Sequence, residues 1–196
     1  MKRASMVLVL AAAMTVPVLA ALKRGDKAPD FTAKASLAGK EFTFSLKDAL
    51  KKGPVVVYFY PSAFTGGCNL QAHTFSVNKE KFDTAGASIV GVSADSIERL
   101  HAFSADPEYC AGKFPVASDP DGSIAKAYGL ATRASQPGMK DTRGAAIDHV
   151  FIERTTFVVQ ADDTIAATLS SADDKISPAE HVEKALAVVS GLAAGK

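Results

Sequence analysis

The chain has 196 residues, 47% of them hydrophobic and 22% charged, and its 22 Lys and Arg against 21 Asp and Glu leave a net charge of +1. That is ordinary globular composition with enough length for one sizeable core. Nothing in this near-neutral balance suggests a nucleic-acid-binding surface, and no basic cluster appears.

The first twenty residues, MKRASMVLVLAAAMTVPVLA, carry Lys2 and Arg3 ahead of an uncharged apolar run. Val18 and Ala20 fit a signal-peptidase site after Ala20. The alternative is an N-terminal membrane anchor, for which the run is short and alanine-rich, since about 20 strongly apolar residues are usual. The reading is therefore a signal peptide over 1–20 and a single domain over 21–196. The mature chain is expected to be exported, most readily to a periplasm, with no stable membrane association once the signal is removed. Removing Lys2 and Arg3 leaves 20 basic residues against 21 acidic ones. Two cysteines in an exported protein first suggest a structural disulfide between Cys68 and Cys110. A domain of this size does not need such a staple to fold.

Along the chain, Glu41–Leu46 alternates as an edge strand should, and a short helix follows. Pro54–Tyr60 is continuously apolar, the pattern of a strand covered on both faces. A helix is expected from Gly67 to about Ala85, then a second central strand over Ser88–Asp95. Ser96 is a plausible N-cap for a helix to Tyr109, with Ile97, Leu100 and Phe103 at helical spacing. Phe114–Gly122 gives a short strand and a turn, and the segment after it a short helix. The run from Val150 to Ser171 reads as a hairpin around Ala161–Asp163. Ser177, Pro178 and Glu180 announce a last amphipathic helix. Ala131–Ile147 has no periodicity and reads as one long loop. The alternation predicts an α/β domain with a central mixed sheet flanked by helices on both faces.

In this reading Cys68 sits in the first turn of a helix, just past the carboxyl end of a central strand, where open α/β sheets place ligands. Helix amides and the positive end of the dipole favour a thiolate there. Gly66 and Gly67 would let the backbone turn sharply, Thr65 places a hydroxyl three residues before the sulfur, and Pro61 stiffens the strand exit. An accessible thiolate among hydrogen-bond donors suits nucleophilic attack or oxidation by peroxide. Each residue also has a plainer reading: a structural or buried cysteine, a helix cap, a strand end.

The segment PSAFTGGC matches Pro-x-x-x-Thr-x-x-Cys as Pro61, Thr65 and Cys68, and so resembles the active-site motif of the peroxiredoxins. Gly25–Phe31, Phe114–Gly122 and Glu153–Val159 resemble further segments of that family, in order from about Gly25 to Leu169. The flavour is that of the bacterioferritin-comigratory, or PrxQ-like, branch. The resemblance implies a thioredoxin-like fold and a thiol-dependent peroxidase that needs no cofactor or metal. It implies hydrogen peroxide and organic hydroperoxides as substrates, a thioredoxin-like or other dithiol reductant as partner, and a monomer or homodimer. Cys68 would be the peroxidatic thiolate, Thr65 would hydrogen-bond the peroxide, and Pro61 would shield the sulfur from water. Arg154 would stabilise the thiolate and the charge developing on the peroxide oxygens, a role for a cation that keeps its proton. In isolation Arg154 reads as a surface strand charge. Gln71 would add a polar contact.

The chain departs from its branch where many members carry a second cysteine five residues after the first; here that position is His73. Some members place a resolving cysteine on the helix that ends near Tyr109, which makes Cys110 the tentative resolving residue. The other readings of Cys110 are a buried, inert thiol in a one-cysteine enzyme and a permanent structural disulfide. Two further function classes compete. A copper-handling protein of this fold could use Cys68 with His73 or His101, but the Cys-x-x-x-Cys pair of such carriers is missing. A disulfide oxidoreductase needs Cys-x-x-Cys, which is also missing.

Overall fold

The computed structural model describes residues 20–195, so the segment read as a signal peptide lies almost wholly outside the described residues. Seven strands form one mixed sheet in the order β2-β1-β5-β4-β3-β8-β9. They are β1 (Thr32–Leu37), β2 (Lys40–Ser45), β3 (Val55–Phe59), β4 (Ser88–Ser93), β5 (Val116–Ser118), β8 (Thr155–Val159) and β9 (Ile165–Ser170). Strands β3, β4 and β5 run parallel, while β8 lies antiparallel to β3 on its other side. A separate two-stranded ribbon joins β6 (Thr132–Arg133) to β7 (Phe151–Ile152).

The continuous apolar run of β3 has a simple cause. Val56, Tyr58 and Tyr60 face one core cluster, built with α2 (Gly66–Thr84), α3 (Ile97–Ala105) and α6 (Pro178–Ala194). Val55, Val57 and Phe59 face a second cluster, built with α1 (Leu46–Leu50), α4 (Ser123–Ala127) and the residues around Phe31. Alternate side chains thus enter different cores, and neither face sees water. This is the thioredoxin-like layering expected from the sequence. At the middle of β4, Gly91 pairs with Tyr58, and a Cβ there would lie 2.6 Å from the Tyr58 hydroxyl and Cζ. The glycine is what allows the buried tyrosine to lie over the sheet.

Several boundaries differ from the sequence reading. Strand β1 has no counterpart in the sequence pattern: its segment TAKASL has little apolar periodicity of its own and is held between β2 and β5. Helix α3 stops at Ala105 rather than Tyr109, because Asp106 precedes a proline and is extended, with ψ 121°. The hairpin around Ala161–Asp163 forms from β8 and β9, but its first strand is shorter than read because Glu153–Arg154 separates β7 from β8, and a short unforeseen helix, α5 (Ser171–Asp174), follows β9. At α6 the capping box read from Ser177 and Glu180 is formed, with Pro178 in the first turn. No helix among the described residues is long and apolar enough to cross a membrane.

Candidate active site

The site is assembled where β3 ends. Tyr60 leaves the strand, and Pro61–Thr65 forms the loop that launches α2, with Cys68 in the first turn. The Cys68 amide bonds to the Thr65 carbonyl at 2.9 Å. The β3–β8 register pairs Phe59 with Thr155. Arg154, one residue earlier, is therefore delivered to the same edge of the sheet from a distant part of the chain. Its Nη2 donates to Cys68 Sγ at 3.2 Å, and its Nη1 donates to Gln71 Oε1, one helical turn on. The planar guanidinium so bridges the sulfur and the amide oxygen with two different nitrogens.

Of the residues singled out from the sequence, Cys68, Thr65, Pro61, Arg154 and Gln71 are all brought to this one edge. Their details correct three expectations. First, Cys68 is only 2% exposed, not openly accessible, because Arg154 and the start of α6 cover the first turn. Second, the sharp turn is made by Phe64, with φ +59°, and neither Gly66 nor Gly67 adopts a left-handed conformation. Gly67 matters for space instead: a Cβ there would meet Arg154 Nη2 at 3.3 Å and Pro178 Cγ at 3.4 Å. Third, Thr65 takes the N-cap position without a side-chain cap, and its hydroxyl donates to the Ser62 carbonyl at 2.7 Å. Its oxygen lone pairs remain free to accept a hydrogen bond from an incoming peroxide. Pro61 and Arg154 also line a groove of about 460 Å³ running under the β6–β7 ribbon to Ser171 and Ala172.

Both cysteines are free and buried. Cys110 lies in the turn after α3, not at a helix end, and it belongs to the same apolar cluster as Cys68 and the stacked pair Tyr58–Tyr60. Burial, then the nearby Asp106, pushes the Cys110 thiol well above its usual range, so in this state it is a neutral thiol. His73 is exposed on α2, and its Nδ1 donates to the Glu108 carbonyl at 2.8 Å, tying the helix of Cys68 to the segment of Cys110. His101 faces Glu41 at 3.6 Å. Among the described residues, no group of three or more His, Cys, Asp or Glu side chains is arranged to hold a metal ion.

The sequence reading missed a buried polar layer beneath the active-site loop. Asp95, at the end of β4, accepts from the Ala63 amide at 2.8 Å, from Ser62 Oγ at 3.2 Å and from Ser93 Oγ at 2.7 Å. Arg99 and His149 each lie 2.8 Å from its Oδ1. Burial works to raise the Asp95 carboxyl, but His149 and the donors outweigh it and hold it below its usual range. His149 Nε2 faces the Asp95 carboxylate and the Ser62 Oγ, whose own proton goes to Asp95, and its Nδ1 faces the Val150 carbonyl; all are acceptors, so both ring nitrogens donate and the imidazolium is favoured over the cost of burial. The available signal was Asp95 itself, a carboxylate placed directly at the end of an apolar central strand.

Behind Arg154 the opposite histidine state is built. His181 is fully buried, with Nδ1 3.0 Å from Thr156 Oγ1 and Nε2 2.9 Å from Ser171 Oγ. The Ser171 hydroxyl donates to the Ile176 carbonyl, so Nε2–H donates to Ser171 and Nδ1 accepts from Thr156. Burial, then the Arg154 charge, pushes His181 down from 6.5 to about 4. Between pH 6.5 and 4 the unfolded chain therefore binds a proton that the folded chain refuses. Stability should fall as pH is lowered through that window and be restored above it, by roughly 2–3 kcal/mol for a shift of this size. His149, whose value is raised, acts in the other sense: its contribution is full below 6.5 and is lost as pH rises through the folded value. Urea titrations at pH 7 and pH 4.5 check the first effect, since His181→Asn should flatten the acid loss. Equal losses in the two proteins would contradict it.

The AhpC/TSA family model matches residues 24–168. A Mycobacterium tuberculosis protein named as a peroxiredoxin is 37% identical over 163 residues, covering 83% of this chain and 92% of that protein. Among solved structures, the peroxidoxin BcpB of Mycobacterium tuberculosis superposes with a TM-score of 0.71 at 30% identity, covering 87% of this chain and 97% of that one. The bacterioferritin comigratory protein of Xanthomonas campestris, described for its alkyl peroxide reduction activity, does so with a TM-score of 0.62 at 28% identity, covering 82% and 91%. With a cysteine at the helix start, an arginine on its sulfur and these relatives across most of its length, the chain belongs to the AhpC/TSA family, among the peroxiredoxins.

Proposed function

We propose that this thiol-dependent peroxidase reduces hydrogen peroxide and organic hydroperoxides at Cys68 and forms a disulfide with Cys110, which a thioredoxin-like or other dithiol reductant reopens. The observation that carries the reading is the 3.2 Å contact from Arg154 Nη2 to Cys68 Sγ at the start of α2. The Cys68 thiolate attacks one peroxide oxygen and the O–O bond breaks. The sulfur is oxidised to a sulfenic acid, and the second oxygen leaves as an alkoxide or hydroxide that takes up a proton. Arg154 faces charge as it moves from sulfur to the departing oxygen, without solvent having to reorganise. Thr65 Oγ1 accepts from the bound peroxide, and Pro61 covers the approach. Cys110, as a thiol, then attacks the Cys68 sulfenic sulfur, forming the S–S bond and releasing water. The dithiol supplies two electrons and two protons to restore both thiols.

The basic start, the apolar run and the Val18–Ala20 pattern of the first twenty residues support an exported site of action. The copper-handling reading has no donor cluster among the described residues to support it. Peroxide consumption with dithiothreitol, compared between wild type and Cys68→Ser, tests the function: the variant should fall to the rate of dithiothreitol alone. Equal rates in the two proteins would overturn the reading.

A further inference from the structure

The loop that follows β6 and runs to residue 147, which no part of the peroxidase reading uses, is almost entirely exposed. Between Thr132 and Val150 the only buried residues are Asp141 and Ile147. An exposed loop anchored by a buried carboxylate needs a reason, since a charge is taken from water only where partners receive it. Asp141 receives Arg99 Nη2 at 2.8 Å, Arg143 Nη2 at 3.0 Å and the amides of Arg143 and Ala145 at 2.8 and 2.9 Å. The same Arg99 Nη2 donates to the Ala63 carbonyl at 2.9 Å. The next residue, Thr142, donates both its amide and its hydroxyl to the Phe64 carbonyl, each at 2.9 Å. Arg143 then lies over the Phe64 ring, 3.2 Å from its centroid. Three consecutive loop residues are thus spent on Ala63 and Phe64.

Those two residues are the hinge of the site. Phe64 holds a left-handed backbone, a conformation that is strained for a non-glycine residue and persists only where the surroundings fix it. It immediately precedes Thr65 and the turn of Cys68. Its ring also meets Phe103 at 5.0 Å and Tyr109, the neighbour of Cys110, at 5.8 Å.

We infer that Asp141 and Thr142 are positioning residues for Cys68: through Arg99 and the Phe64 carbonyl they strap the Ala63–Phe64 hinge shut, and release of this strap is the step that exposes the Cys68 sulfur. The inference rests on Cys68 being the reacting residue, and not on which thiol resolves it. With the strap in place Cys68 is covered and held against Arg154. With it released, Phe64 leaves its strained conformation, the first turn of α2 loosens, and the sulfur becomes reachable by a second thiol.

The test is the alkylation rate of reduced Cys68 by a bulky maleimide, in a Cys110→Ser background so that one thiol reports. A cysteine only 2% exposed reacts with so large a reagent only through opening. Thr142→Val removes the hydroxyl donor at nearly constant shape, and Asp141→Asn removes the charge. Each should speed alkylation at least tenfold, whereas Thr142→Ser, which keeps both donors, should stay within twofold of the parent. Val189→Ala, in the α6 core, supplies a loss of Tm with no contact to the strap and should leave the alkylation rate within twofold. Rates within twofold for both Thr142→Val and Asp141→Asn would overturn the inference, as would an equal acceleration by Val189→Ala. Because the readout needs no peroxide, failure of the peroxidase reading would show separately, as absent peroxide consumption in the unsubstituted protein.

Discussion

Arg154→Lys should lower the second-order rate with peroxide at least tenfold, equivalent to about 1.4 kcal/mol or more in the barrier, with the fold intact. A lysine keeps the positive charge, so a purely long-range electrostatic role would survive the change. What it loses is the fork. Arg154 uses Nη2 on the Cys68 sulfur and Nη1 on Gln71 Oε1, and a single ammonium cannot hold both directions from one flexible stem. The Gln71 oxygen, buried in the first half of α2, would lose its donor and leave an unmatched acceptor next to the reacting sulfur. The ammonium is also more strongly hydrated and would draw water into a turn that buries Cys68. Stopped-flow peroxide kinetics beside a thermal melt separates the two contributions. A rate within twofold of wild type would remove Arg154 from the chemistry, and a large fall in Tm would make it a structural residue.

Cys110→Ser should convert a recycling enzyme into one that accumulates oxidised Cys68: first a sulfenic acid, then, with further peroxide, a sulfinic acid. Serine has no sulfur to condense with the sulfenic acid, and Cys110 is the only other cysteine in the chain. In the closed state Cys110 is fully buried and held as a neutral thiol, so it reacts only once its own segment opens. That segment is built for inexpensive opening. Ala111 and Gly112 are both left-handed, with φ +52° and +67°, and the turn is closed mainly by short-range backbone bonds such as Ala111 N–H to the Asp106 carbonyl at 2.8 Å. Its ties beyond the turn include Tyr109 on Phe64 and Phe103, the Gly112 amide on the Ser104 carbonyl, His73 on the Glu108 carbonyl, and Lys113 on the Ser76 carbonyl. Peptide mass spectrometry after graded peroxide checks the outcome. If Cys110→Ser took up oxygen at Cys68 no faster than wild type over many turnovers, Cys110 would be an inert core thiol.

Much of this architecture was legible because local pattern and tertiary role agree. The apolar run of β3 could only be a strand covered on both faces, and Ser177, Pro178 and Glu180 spell out a helix start that the fold then uses. The placement of Cys68 followed from the strand ahead of it, and Arg154 was reached through the resemblance of its strand, since nothing local distinguishes it from a surface charge. What was not legible depends on pairing or on strain. Strand β1 exists because β2 and β5 flank it. Phe64 takes the left-handed turn beside two glycines that look better suited to it, because Asp95 and Arg99 hold Ala63 and Thr142, from a distant segment, holds the Phe64 carbonyl. Pro107 gave the true end of α3 through its effect on Asp106, and so leaves Cys110 in a turn beyond the helix rather than at its end. The loop 131–147 showed its length in the sequence but not its purpose, since a buried Asp141 looks like any exposed acidic residue until Arg99 is placed beneath it.

One measurement bears most directly on the account. Reduced wild-type protein, treated with one equivalent of hydrogen peroxide and mapped by peptide mass spectrometry under non-reducing conditions, should contain an intramolecular Cys68–Cys110 disulfide as its main product, reversible by a dithiol. Cys68 left as a sulfenic acid, or a disulfide joining the Cys68 residues of two chains, would contradict it.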